Sequence, residues 1–159
     1  NKNAEKVDEI VRESLKRTKN RGIILSVWGS AKRESMNDLL YLESVPHDWL
    51  LPKCKILIHH GGAGTTSAAL CAGIPQIVVP FMADQPFWGS RVHAIGVAPK
   101  PIRVNQLSVD KMLSAIAEAE SKGVLERAQV IGQDIRSEDG VMNAVNLIEL
   151  YAMMFRESA

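Results

Sequence analysis

The chain has 159 residues, 46% hydrophobic and 23% charged, with 19 basic and 18 acidic side chains. That is material for one ordinary globular domain with its own core. The near-cancelling charges exclude a broad field for nucleic acid or an anionic membrane. No apolar run reaches the ~18–20 residues of a spanning helix, and no signal-peptide pattern opens the sequence.

Residues 4–19 read as an amphipathic helix, with Val7, Ile10, Val11, Ser14 and Leu15 on one face. Asn20-Arg21-Gly22 is expected to stop it, with Gly22 just past its end. Residues 23–28 read as a buried strand, 29–37 as polar loop and 38–43 as a short strand around Leu39, Leu40 and Leu42. Pro46 breaks the chain, and Asp48 is placed to cap a turn over 49–52.

The central stretch reads KILIHHGGAGTTSAALCAGIPQIVVPFMADQ, residues 55–85. Ile56, Leu57 and Ile58 form one apolar run, and Ile77, Val78 and Val79 another. Between them lie a turn with Gly61, Gly62 and Gly64 and a compact helix through Ala68, Ala69, Leu70 and Ala72. Residues 84–94 predict a helix with Asp84 as N-cap and Pro86 in its first turn. Residues 96–101 are extended between prolines, and three further helices follow: one capped by Ser108, one over 121–135 and one over 139–155. Gly123 and Gly132 weaken the second of these, and Val141, Val145, Ile148 and Leu150 are apolar positions of the third.

About five apolar strands alternating with helices predict an α/β domain, a Rossmann-like parallel sheet with helices on both faces. In such sheets ligands bind beyond the carboxyl ends of the strands. Ser30, Ser44, His60 and Asp84 all follow predicted strand ends. Cys54 and Cys71 sit in core-like settings without ligand spacing, which favours a reducing, cytoplasmic location.

A strand that turns on glycines into a helix suits phosphate, because the helix start offers unpaired N–H groups and about half a positive charge. Gly62-x-Gly64-x-x-Ser67 imitates the dinucleotide fingerprint imperfectly, and Asp84 stands twenty residues after Gly64, about where a ribose-binding acid belongs. A nicotinamide- or flavin-binding domain is therefore one reading, and a tight packing turn without ligand is another. His59 and His60, if extended, point to opposite sides and do not chelate one metal. His60 beside a phosphate turn has an N–H to donate. Asp84-Gln85 suits either a helix cap and surface filler or a pair that binds sugar hydroxyls. Phe87 and Trp88 read as core or interdomain packing. The sequence offers no Walker lysine, metal-ligand cluster, recognisable catalytic triad or basic–aromatic interleaving, so neither a metal nor nucleic acid is expected.

Pro46-His47-Asp48-Trp49, His59-His60-Gly61-Gly62-Ala63-Gly64-Thr65-Thr66 and Asp84-Gln85-Pro86-Phe87-Trp88 closely resemble the C-terminal, donor-binding half of GT-B glycosyltransferases of the UDP-glycosyltransferase superfamily. Within it the nearest group looks like the sterol 3-beta-glucosyltransferases. The likeness is strong over residues 45–97 and looser from Val7 to the last helix, where Ser137-Glu138-Asp139-Gly140-Val141 fits too.

The resemblance implies roles position by position. His60, Gly62, Gly64, Thr65, Thr66 and Ser30 would bind the donor diphosphate. Ser44, Val45 and His47 would receive the nucleoside, and Asp84 and Gln85 the donor sugar. Two departures matter: Ala68 stands where many relatives carry a ribose-binding glutamate, and Ser44 where plant members stack a tryptophan on uracil. The implied activity is transfer of glucose from UDP-glucose to a hydroxyl of a sterol-like or other lipophilic acceptor, with inversion and without metal or other cofactor. The catalytic base and the acceptor site would lie in an N-terminal domain.

The family's first, central strand precedes the helix that starts this sequence. The chain is therefore expected to be one donor-binding domain, 1–159, from a two-domain enzyme, and inactive by itself. Its sheet is expected to have a gap between strand 23–27 and strand 55–59. Rearrangement, a second copy, another chain or a segment outside these residues would close that gap. A lipid acceptor would allow peripheral membrane association. The non-enzymatic alternative is a GT-B-derived module that binds without turnover.

Overall fold

The computed structural model describes residues 2–25 and 38–157. In chain order these carry α1 (Lys2–Thr18), β1 (Gly22–Leu25), β2 (Leu39–Leu42), α2 (His47–Leu50), β3 (Leu57–His59), α3 (Ala63–Ala72), β4 (Gln76–Val78), α4 (Gln85–Ala94), α5 (Val109–Ala119), α6 (Lys122–Ser137) and α7 (Gly140–Glu157). The expected loop at 29–37, with Ser30, and the end of the strand expected at 23–28 lie outside the described residues.

The strands are parallel, as their apolar character predicts. β1 pairs with β2 in the register Ile23↔Leu40, and β3 with β4 in the register Ile58↔Ile77. No ladder joins the two pairs among the described residues. Among the described residues the count is four strands, where about five were expected. The segment expected as the fifth, 96–101, still runs beside β4: Gln76 N–H donates to Val97 O (3.1 Å) and Ile102 N–H to Val78 O (3.0 Å). Pro99 and Pro101 have no N–H to extend that pairing into a ladder.

The β3–β4 pair holds the core. On one side Ile77 and Val79 pack with Met112, Ala115 and Ile116 of α5, and with Val7, Ile10 and Val11 of α1. The predicted amphipathic stripe of α1 thus finds its partner. Elsewhere Val78 packs with Val92, Val97 and Ala128, drawing in α4 and α6. Close approach of α3 and α6 depends on Gly132: a Cβ there would lie 2.5 Å from Gly73 Cα and 2.9 Å from Leu70 O. The residue read as a weakness in α6 is its contact point.

One helix boundary differs from expectation. Lys19, at φ 55°, is the left-handed residue that ends α1, and Gly22 already belongs to β1. Asn20 N–H bonds Leu15 O (3.0 Å), so the chain reverses before the glycine. Ser108 caps α5 as predicted, its Oγ accepting from Lys111 N–H (3.3 Å). The apolar positions of α7 remain open among the described residues, with Val141 80% and Phe155 74% exposed. No helix among the described residues is long and apolar enough to cross a membrane.

Candidate nucleotide-sugar site

The glycine turn follows β3 directly. His59 ends the strand, and Gly61 takes φ 95°, a conformation that disfavours any side chain. Gly62 is the N-cap of α3 in extended conformation, and no side chain caps the helix. Thr66 N–H bonds Gly62 O (2.9 Å) and closes the first turn. The N–H groups of Ala63, Gly64 and Thr65 precede that bond and have no acceptor within the helix, as at any helix start. Gly64 has no crowding reason to be glycine, since a Cβ there would meet nothing within 4 Å. It leaves open space over three free amides at the positive end of a helix dipole.

The two histidines divide as alternation along a strand requires. His60 is exposed, and its ring lies over the turn: a Cβ on Gly62 would be 2.7 Å from His60 Nε2. His59 turns inward. Its Nε2 lies 2.9 Å from Gln76 Oε1, and its Nδ1 accepts from Gly61 N–H (3.2 Å). Burial pushes the His59 pKa down to about 4; the Gln76 hydrogen bond opposes this, while the charges of His60 and His47 add to it. His47 stands at the start of α2 and is half-buried.

Thr65 is half-buried, whereas Thr66 is 1% exposed and its hydroxyl donates to Gly62 O (2.9 Å). Thr66 is therefore a brace inside the first turn, with its hydroxyl already committed. Ser44 is exposed and Val45 half-buried, directly ahead of α2. Ser30 lies outside the described residues.

Asp84 and Gln85 close the other side. A Cβ on Gly61 would lie 2.9 Å from the Gln85 carbonyl oxygen, so the glycine turn and the head of α4 touch through backbone. Gln85 Oε1 accepts from Phe81 N–H (2.8 Å) and Met82 N–H (3.1 Å), which leaves its NH2 to donate elsewhere. Asp84 stands at the N-cap of α4, but its side chain makes no cap bond; Oδ2 accepts from Trp88 Nε1 (2.8 Å) instead. Trp88 is thus a holder of Asp84, and Phe87, 58% exposed, packs edge-on against Trp88 rather than in the core. Ala83 sits at φ 53°, a strained conformation for a residue with a Cβ, immediately before the pair.

Two residues of this arrangement were not singled out from sequence, Gln76 and Ala83. Gln76 carried a signal: it is a lone amide in the apolar run Ile74-Pro75-Gln76-Ile77-Val78-Val79, and it is fully buried. Among the described residues no group of three or more His, Cys, Asp or Glu side chains is arranged to hold a metal. Shallow hollows lie away from the turn, one of about 260 Å3 beside Ile102 and Ala115 and one of about 250 Å3 beside Pro52 and Ala68. The turn itself is an open face.

Residues 30–146 match the family described as "Erythromycin biosynthesis protein CIII-like, C-terminal domain". A sterol 3-beta-glucosyltransferase of Arabidopsis thaliana is 49% identical over 143 residues, 89% of this chain and 22% of that protein. Among solved structures, the glycotransferase of kitacinnamycin superposes with a TM-score of 0.77 at 25% identity, over 89% of this chain and 38% of that one. The glycosyltransferase VinC, solved in complex with dTDP, gives 0.60 at 25% identity, over 72% and 30%. The chain thus spans about a fifth of the length of that curated relative. These matches cover the histidine pair, the glycine turn and the Asp84-Gln85 segment together, and the chain belongs to the erythromycin biosynthesis protein CIII-like C-terminal domains, the GT-B glycosyltransferase domains close to those of sterol glucosyltransferases.

Proposed function

We propose that this domain binds UDP-glucose for a glycosyltransferase whose acceptor is a sterol-like or other lipophilic alcohol. The observation that carries the reading is the uncapped start of α3, with Gly64 open above its amides and His60 beside them. In this reading the amides of Ala63, Gly64 and Thr65 and the His60 imidazole receive the diphosphate. Asp84 and the Gln85 NH2 hold hydroxyls of the sugar, and Ser44, Val45 and His47 line the nucleoside end.

In this reading the reaction is the inverting displacement that the family resemblance implies. The acceptor oxygen attacks the anomeric carbon from the face opposite the diphosphate, and its proton passes to a base outside this chain. The bond from the anomeric carbon to the diphosphate oxygen breaks, and negative charge grows on the leaving group. Pre-aligned N–H donors stabilise that charge without reorganising, the contribution for which one lost donor typically costs about 10²–10³ in rate. The chain's own residues supply binding, orientation and leaving-group stabilisation, with no metal or other cofactor. Glucosyl transfer needs the further part of the protein, and the 159 residues alone are inactive.

Calorimetric titration of the chain with UDP-glucose, dTDP-glucose and NAD tests the reading. UDP-glucose should bind, with His60→Ala weakening it about tenfold or more. Binding of NAD in preference to both sugar nucleotides would overturn it in favour of a dinucleotide domain. Preference for dTDP-glucose would correct the base while leaving the diphosphate site in place.

A further inference from the structure

We propose that His59, acting through Gln76, is a positioning residue for the diphosphate turn; the inference rests on the donor-site reading above. Its basis is a continuous chain of four groups. Gly61 N–H donates to His59 Nδ1 (3.2 Å), His59 Nε2 meets Gln76 Oε1 (2.9 Å), and Gln76 Nε2 donates to Thr66 O (3.3 Å). Gly61 opens the turn, and Thr66 closes the first turn of α3. The chain therefore ties both ends of the cradle to one side chain of β4.

The directions of these bonds are fixed. Because Nδ1 accepts from a backbone N–H, the imidazole proton sits on Nε2, and Gln76 must receive it with its carbonyl. That choice turns the Gln76 NH2 toward Thr66 O. A buried amide with 0% exposure tolerates no other orientation without losing a partner. A proton on Nδ1 would set two donors facing each other at Gly61. His59 thus holds the turn only as the neutral Nε2–H tautomer, and burial keeps it in that form. Neither His59 nor Gln76 need touch the donor. They set where the Gly61 peptide lies, and with it the approach to the amides of Ala63, Gly64 and Thr65.

The test compares UDP with uridine, which has no diphosphate, on the wild-type chain, Gln76→Met and His59→Asn. Met fills the Gln volume but cannot bridge. Asn places an oxygen near the Nδ1 position and keeps the Gly61 bond. Gln76→Met should still melt cooperatively and lose about tenfold in UDP affinity, with uridine affinity changed less than twofold. His59→Asn should lose less for UDP than Gln76→Met. An equal loss for both ligands, or wild-type UDP affinity in a folded Gln76→Met chain, would overturn the proposal. The ¹⁵N shifts of the wild-type imidazoles give a ligand-free reading that no misfolded variant can obscure. A protonated Nε2 with a bare Nδ1 at His59 supports the proposal, and the opposite tautomer sinks it. Failure of the wild type to bind UDP would instead remove the donor-site reading, while the tautomer would still decide whether His59 holds the turn.

Discussion

Gly61 and Gln85 meet through backbone: a Cβ on the glycine would lie 2.9 Å from the glutamine carbonyl oxygen and 2.8 Å from Val78 Cγ1. The turn that would take the diphosphate and the helix start that would take the sugar are therefore in direct contact. Gly61→Ala meets two penalties at once, a left-handed φ of 95° and a collision with backbone that cannot rotate away. We expect it to destabilise the fold by about 2 kcal/mol or more, read as a lower urea midpoint at unchanged slope. Unchanged stability would mean that the turn and α4 are free to separate.

Gly64 should behave in the opposite sense. It lies inside α3, its φ is not positive, and a Cβ there meets nothing. Gly64→Ala is thus expected to stabilise the chain by about 0.5–1 kcal/mol through helix propensity alone. The added methyl would stand over the free amides, so UDP affinity should fall by about tenfold or more. A variant that is more stable and still binds UDP as the wild type does would show that the diphosphate lies elsewhere.

What the sequence made legible follows from where its physics is local. Ser108 caps α5 because an N-cap needs only its own next turn, and α1 is visible because its stripe of Val7, Ile10 and Val11 repeats at helical spacing. The glycine turn and the histidine pair were legible for the same reason. Three features were not. Lys19 rather than Gly22 ends α1, because the return of the chain toward β1 overrode glycine's local advantage. Asp84 holds Trp88 instead of capping α4, since the indole N–H lies within its reach one turn along. The Gln76 bridge joins residues 17 positions apart on two strands and so has no local pattern.

Asp84 and Gln85 differ in what their loss should cost. Gln85→Leu removes the acceptor for Phe81 N–H and Met82 N–H, so the loop ahead of α4 loses its shape. It should cost about 1–2 kcal/mol of stability and also weaken UDP-glucose binding. Asp84→Asn keeps an oxygen for the Trp88 indole and should leave the melting temperature nearly unchanged. Its effect should fall on UDP-glucose relative to UDP, because only the former presents sugar hydroxyls. Equal weakening of both ligands in Asp84→Asn would remove Asp84 from the sugar end of the site.

Acid should weaken the fold through His59. Its pKa is pushed down from 6.5 to about 4, first by burial and then by the neighbouring histidine charges, against the Gln76 hydrogen bond. Between those two values the unfolded chain carries a proton that the folded chain refuses, so unfolding takes up protons. Stability is then fully present above pH 6.5 and is lost as pH falls toward 4, by roughly 3 kcal/mol at most. Urea midpoints measured from pH 7.5 to 4.5 on the wild type and on His59→Asn isolate this contribution, because every other titrating group is common to both chains. The wild-type midpoint should fall more steeply through this window than that of the variant. Parallel curves would mean that His59 charges freely in the folded state, in which case its Nδ1 is not committed to Gly61 and the brace on the glycine turn is not there.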